Sequence, residues 1–431
     1  ITCDNGIAAA KEIEYGKALG MTIIVTDHHE VPYKENEAGR RYILPPADAV
    51  VDPRQEGCEY PFKGLCGAAV AYKLIEALSE VNGQDVADLD YLLENVAIAT
   101  VADVMDLTEE NRILVKQGLE MLTRTSNLGL RALIQCIGLE GKKIQAYHIG
   151  FILAPCLNAS GKLDTAKRAL ALLRAKTERE ADMLAGDLKA LNESRRDMTD
   201  RVVDEAMAKV EQTDIREDKV LVIYLPDCHE SLAGLVAGRV RENYYRPVFV
   251  LTDSEDGVKG SGRSIESYSM YEELTGCGDL LTKFGGHPMA AGLSLDKENV
   301  EKFKRRLNDQ CTLSEEELTE KVVIDMELPF TAITEHFIEE LECLEPFGKG
   351  NAKPVFAARG VIMQHVKIIG KNKNVAKATA IDASGNRMEA ICFRDAQEFA
   401  EQCERNNGKM SITFYPGINE FRGERQIQIV F

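Results

Sequence analysis

Apolar and polar positions change rhythm several times along the chain, and each change marks a different kind of element. Residues 8–19 carry a helical spacing of apolar positions closed by Gly20, and the run Met21-Thr22-Ile23-Ile24-Val25-Thr26 predicts a buried strand. Ala49-Val50-Val51, ahead of Asp52-Pro53, predicts a second strand, so this region has the βαβ order of a parallel sheet. Helical patterns return at residues 68–78 and 113–122, and an apolar segment at 96–104 delivers Ala102-Asp103-Val104. Thr177 with Glu180 three residues later is a capping-box signature, and no proline and a single glycine follow up to residue 212. This predicts one helix roughly 50 Å long, better suited to a strut than to a core; a helix broken near Gly186 is the alternative.

Beyond that helix, strands at 219–225 and 247–252 flank a helix at 231–242 and predict a second, smaller α/β unit that ends near residue 307. Residues 308–320 read as a polar connector. From residue 322 the pattern turns to short alternating strands at 361–369, 376–381, 410–414 and 426–431, with turns at Ser384-Gly385 and Arg422-Gly423, which predicts a small β-barrel. The chain opens on Ile1, in what reads as the end of a strand, and is expected to be a fragment that lacks an N-terminal piece.

A length of 431 residues suggests about three domains. With 45% apolar and 28% charged residues, and no run of roughly 18 apolar positions, the composition is that of a soluble protein without a membrane span. The eleven cysteines include no CxxC pair, which argues against a zinc ribbon or disulfide framework and for the cytoplasm. A net charge of −18 argues against a nucleic-acid partner, but residues 346–381 hold Lys349, Lys353, Arg359, Lys367, Lys371, Lys373 and Lys377 and no Asp or Glu. That stretch reads either as a strand-binding surface or as a solvated face.

Ligands gather outside the carboxyl ends of strands in open parallel sheets, and Asp4, Asp27-His28-His29 and Asp103 each follow an apolar run. Carboxylates suit Mg²⁺ or Mn²⁺, and the imidazoles favour Mn²⁺. Two such ions would serve phosphodiester hydrolysis. Singly, Asp4 also reads as a turn residue and Asp103 as a helix-boundary residue.

These residues sit in a longer series: Thr2-Cys3-Asp4-Asn5-Gly6, Asp27-His28-His29, Tyr60-Pro61-Phe62-Lys63, Leu65-Cys66-Gly67, Val101-Ala102-Asp103-Val104 and Leu157-Asn158-Ala159-Ser160-Gly161. Gly260-Ser261-Gly262-Arg263-Ser264, Phe284-Gly285-Gly286-His287, Leu344-Glu345-Pro346-Phe347-Gly348 and Asn419-Glu420-Phe421-Arg422-Gly423 continue it. The series resembles the DHH phosphoesterases, and among them the bacterial exonucleases specific for single-stranded DNA. The resemblance implies an α/β fold: a parallel-sheet DHH domain lacking its N-terminal part (1–165), connecting helices (166–212), a DHHA1 substrate domain (213–310) and a C-terminal OB-fold barrel (321–431).

By the same resemblance, Asp4 would bridge two Mn²⁺ or Mg²⁺ ions, His28 and Asp103 would complete one of them, His29 would lie near the scissile phosphate and Asp27 would orient the pair. Asn158 and Lys162 would lie near the substrate, with lysine where arginine is expected. Ser261 and Arg263 would clamp a 5′-phosphate, and Gly285, Gly286 and His287 would approach a substrate phosphate. His148, His229, His336 and His365 read as structural or surface residues. The family's Asp-rich first motif, which precedes Asp4, is not in these residues, so catalysis by the chain alone is expected to be weak or nil.

The implied function is 5′-to-3′ hydrolysis of single-stranded DNA in repair and recombination. It would be carried out by a monomer, with helicases or single-strand-binding proteins as candidate partners. Degradation of oligoribonucleotides or cyclic dinucleotides, and nonenzymatic strand binding, are the rival readings.

Overall fold

Short parallel strands hold the first loops of the chain side by side. Ile24–Thr26 pairs with Ala49–Val51, and the backbone N–H groups of Thr2 and Asp4 donate to the carbonyls of Ile24 and Thr26, so residues 2–4 line the edge of the same sheet. The computed structural model describes residues 1–36, 39–163, 166–370, 373–393, 396–421 and 423–431. It divides into two units, one of Ile1–Pro155, Leu172–Asp182 and Val323–Phe431, the other of Cys156–Ala171 and Met183–Val322.

In the first unit the apolar run from Met21 yields only three strand residues, because Met21 is exposed and the pairing begins at Ile24. A polar hairpin, Tyr33–Asn36 with Gly39–Tyr42, was not predicted; its exposed positions carry no burial signal. The apolar segment at 96–104 belongs to the helix Leu93–Ala102, which ends at Asp103. Asp103 thus stands at a helix boundary, the reading it has in isolation, and not at the end of a sheet strand. That helix packs closely on Glu109–Thr123, because a side chain at Gly118 would stand 2.3 Å from the Leu93 carbonyl oxygen.

The C-terminal strands close into a barrel. The order runs Met326–Glu327, Phe356–Ile369, Val375–Ile381, Arg387–Cys392, Glu424–Val430, Lys409–Phe421, and the last returns to pair with Phe356–Ile369. Register shifts near Ala358 and Gln364 bend the long strand enough to serve two neighbours. Alternate residues, among them Val361, Ala376, Ala380 and Ile429, fill the interior. Three of the seven cations of the acid-free stretch pair with acids elsewhere: Lys349 with Asp106, Arg359 with Glu327 and Lys377 with Glu389. Lys371 and the Arg422 turn lie outside the described residues.

The second unit holds a five-stranded sheet in the order Leu221–Tyr224, Val248–Ser254, Gly257–Arg263, Ala290–Leu295, Leu281–His287. The first pair is parallel and the rest antiparallel. Helix Glu230–Tyr244 covers one face, and on the other Phe303 packs edge-on against Phe249. The strands carrying Gly260-Ser261-Gly262-Arg263 and Phe284-Gly285-Gly286-His287 were not foreseen as strands, because glycine at alternate positions erases the hydrophobic alternation. Helix Glu178–Gln212 is continuous over 35 residues, so the alternative of a break at Gly186 does not hold. It is also more than a strut, since Ala206 and Val210 are buried in the core of the second unit.

Gly186 is an exposed helical glycine around which an added methyl group meets nothing within 4 Å. Gly186→Ala should therefore stabilise the protein by about 0.5–1 kcal/mol, read as a higher denaturant midpoint at unchanged slope.

Candidate metal centre and phosphate clamp

Asp27 is the organising group of the first site. Its carboxylate is 1% exposed and accepts from four donors: the Ile7 N–H at 2.9 Å, the His28 N–H at 2.8 Å, the His29 N–H at 3.4 Å and His29 Nδ1 at 2.7 Å. Burial pushes the carboxyl up, but these hydrogen bonds outweigh it and hold Asp27 below its ordinary value. The bond to Asp27 raises His29 in turn. Asp27 is thus held in place by protein donors, with its carboxylate in the group of Asp4, Asp27, His28 and His29 whose ligand atoms lie within 4.8 Å of one another.

His28, buried on the same loop, points the other way. Its Nε2 lies 2.9 Å from Oδ1 of Asp4 and 3.5 Å from Oδ2 of Asp103. Neither contact has hydrogen-bond alignment, and neither ring nitrogen has a hydrogen-bond partner among the described residues. Two carboxylates converging on an unpartnered buried nitrogen is the donor set of a divalent cation, and the hard oxygens with one imidazole fit Mn²⁺ or Mg²⁺. Burial pushes the Asp103 carboxyl up against the pull of His28, with Asp4 adding to the rise. A bound cation would offset that repulsion. The side chains of Asp4, Asp103 and His29 are each more than half exposed, so the centre opens to solvent.

Backbone geometry explains the neighbouring motifs. Asp4 adopts a left-handed φ of 59°, which aspartate tolerates better than most residues. Its carboxylate lies against Gly67, the first residue of helix Gly67–Val81, where an added Cβ would stand 2.4 Å from Asp4 Oδ1. The helix N-terminus also favours the negative charge there. Asn111, fully buried, donates to the carbonyls of Gly64 at 2.7 Å and Asp106 at 3.0 Å, tying the loop before Gly67 to the loop after Asp103. Tyr60 donates to Glu110 at 2.8 Å beside Lys73, and burial with that bond pushes its hydroxyl up to about 12.

The Leu344-Glu345-Pro346-Phe347-Gly348 segment docks on the same Asp103 loop. The Leu107 N–H donates to the Lys349 carbonyl at 2.7 Å, and Lys349 Nζ lies 3.3 Å from Asp106. Side chains at Gly348 or Gly350 would collide with Leu107 and Asp106.

One acid was missed. Asp52, 2% exposed, stands at the end of strand Ala49–Val51 beside Asp27; Oδ1 accepts from the Arg54 N–H, Oδ2 has no partner, and burial pushes the carboxyl up. The rule that singled out Asp27, an acid directly after an apolar strand, would have found it.

The second unit carries the other candidate residues. Ser261 and Arg263 alternate on one strand and share a face, with Arg263 Nη1 donating to Ser261 Oγ at 3.1 Å and to the Gly262 carbonyl at 2.7 Å. Gly234 on the covering helix leaves room for them, since a Cβ there would lie 2.8 Å from Arg263 Nη2. Burial, with repulsion from Arg241, lowers the guanidinium. Ser261, Gly292 and Gly285 form one row across three strands, and Arg263, Ala290 and His287 the next. The first row floors a cavity of about 510 Å³ that Lys259 and Lys283 also line. Gly286 is strand backbone, where a Cβ would meet the Ala290 carbonyl at 2.4 Å. His229 caps helix Glu230–Tyr244 and His148 accepts from the Gln145 N–H, both structural roles. Asn158 belongs to this unit; the Lys162 side chain lies outside the described residues.

Comparison with known proteins gives this geometry a context. Residues 1–100 match the DHH family N-terminal domain, 217–313 the DHHA1 domain and 324–431 the RecJ OB domain. The chain is 33% identical over its whole length to the single-stranded-DNA-specific exonuclease RecJ of Salmonella typhimurium and covers 76% of that protein. The chain belongs to the RecJ family. The RecJ of Bacillus subtilis is 37% identical over the whole chain, which spans 53% of that relative. RecJ from Thermus thermophilus in complex with Mn²⁺ superposes with a TM-score of 0.80 at 27% identity, over all of this chain and 60% of its own. Within the RecJ family fold the DHH, DHHA1 and OB parts follow in the order expected from the motifs.

Gly67→Ala should displace Asp4 and weaken Mn²⁺ binding roughly 10- to 100-fold, as loss of a supporting contact to a ligand does, while circular dichroism stays unchanged. Titration of the metal against its electron paramagnetic resonance signal measures this.

Proposed function

We propose that this chain is the core of a metal-dependent exonuclease that degrades single-stranded DNA from its 5′ end. The observation that carries the reading is the unpartnered His28 ring held against Asp4 and Asp103, together with membership of the RecJ family. Asp4, His28 and Asp103 would hold the cation, which supplies charge stabilisation and an activated water when bound. Asp27 fixes the His28 and His29 loop, and the protonated His29 ring, favoured by Asp27, offers a donor to a phosphate oxygen. Burial pushes the Asp52 carboxyl beside Asp27 above its ordinary value.

Arg263 and Ser261 present a guanidinium and a hydroxyl on one face, a donor pair suited to a terminal phosphate. Ser261 also lines the neighbouring cavity, to which Lys283 adds positive charge while Lys259 pairs with Glu230 at 2.7 Å. A 5′-phosphate held by Arg263 and Ser261 would set the polarity of digestion. The barrel, of the OB class, would bind the strand; among the described residues no helix is long and apolar enough to cross a membrane, and all eleven cysteines are free of disulfides. We place the activity in cytoplasmic DNA repair and recombination, on a monomer working with helicases or single-strand-binding proteins.

In the full-length protein, Mn²⁺-dependent release of mononucleotides from a 5′-phosphorylated single strand is the expected activity, and Asp4→Ala should abolish it. Arg263→Ala should raise KM for the phosphorylated strand roughly 10- to 100-fold with a smaller change in kcat. Digestion from the 3′ end, or equal activity on duplex, would overturn the reading.

A further inference from the structure

A cavity of about 910 Å³ lies in the first unit between the helices that follow the metal centre and the start of the barrel, and none of its lining residues belongs to the metal centre or the clamp. On one wall Tyr147 and Phe151 stack with ring centroids 4.9 Å apart and planes 28° from parallel. They are 61% and 73% exposed and line the cavity, so the pair is not part of a core. The chain winds as a π-helix over Ile149–Leu153, a local widening that often accompanies function.

The cavity is also lined by Lys353, whose ammonium stands over the Tyr415 ring, 3.6 Å from its centroid. Among the described residues it has no carboxylate within ion-pair distance. The nearest candidate, Glu345, is engaged by Lys143 at 3.0 Å and by Gln145 at 3.1 Å. The protein surrounding Lys353 lowers its pKa even though the side chain remains open to the cavity, as expected of a cation in a concave site awaiting an anion. Lys116 and Arg124 add positive charge at the rim.

A stacked aromatic pair and a cation without a carboxylate partner among the described residues, lining one space of ligand size, match an aromatic group that carries an anion. We propose that this cavity binds one nucleotide, with its base on the Tyr147–Phe151 pair and its phosphate at Lys353. The choice of a nucleotide over other aromatic anions rests on the polynucleotide reading above. The same chemistry comes from two sources: a unit of the DNA strand away from its 5′ end, or a free 5′-mononucleotide.

Both sources can be tested without divalent cations, so that no hydrolysis intervenes. Fluorescence anisotropy of a labelled 20-residue oligothymidylate reports strand binding, and saturation-transfer NMR with dAMP reports the free nucleotide. Phe151→Ala removes an exposed ring and should fold normally; Lys353→Met removes the cation. A loss of oligothymidylate affinity of roughly tenfold in both variants, with dAMP signals unchanged, assigns the site to the strand. Saturable dAMP binding lost in both variants assigns it to the free nucleotide. Wild-type affinity for both probes in Phe151→Ala overturns the proposal. Arg263→Ala separates the two claims: it weakens capture of the phosphorylated end in the nuclease assay and should leave dAMP binding at this cavity intact.

Discussion

One buried carboxylate sets the geometry on which the metal centre depends. Asp27 sits at the end of a three-residue strand with almost no exposed surface, and such a charge persists only where donors replace the lost water. Its four donors come from the loop it belongs to and from Ile7 on the preceding loop. In accepting them it locks the two loops together and fixes which way the rings of His28 and His29 face. His28 is left with Nε2, without a hydrogen-bond partner among the described residues, beside Asp4 and Asp103, the arrangement a divalent cation would satisfy.

Around this keystone the fold removes freedom by close approach. Gly67 lets a helix N-terminus touch Asp4, and Gly118 lets the helix that ends at Asp103 pack against the next one. Asn111 then spans from the Gly64 carbonyl to the Asp106 carbonyl. The barrel contributes too, since Lys349 and its flanking glycines rest on the residues directly after Asp103. The candidate ligands from three loops thereby share one support, and the barrel is part of it.

The second unit solves a different problem with the same economy of side chains. Gly234 leaves room for Arg263 and Ser261, and Gly285 and Gly292 line a cavity that Lys259, Lys283 and Glu230 border. An arginine already satisfied by Ser261 and a backbone carbonyl is held in one orientation, so little side-chain entropy remains to be lost when an anion arrives.

Much of this was legible along the chain. The acid and imidazole positions, the 35-residue helix and the barrel pattern follow from local spacing, because each is a property of neighbouring residues. Three features were not legible. The apolar segment before Asp103 could not be assigned to strand or helix from sequence, because a largely buried segment lacks the periodicity that separates the two; it is a helix. The glycine-rich strands of the second unit hid because their partners, not their side chains, make them strands. The acid-free basic stretch looked like free positive charge, but carboxylates elsewhere in the chain pair with three of its seven cations. The order of residues determined which groups could ligate a cation or a phosphate; only the tertiary structure decided which of them converge, because convergence depends on hydrogen bonds and close approaches between loops far apart in the chain.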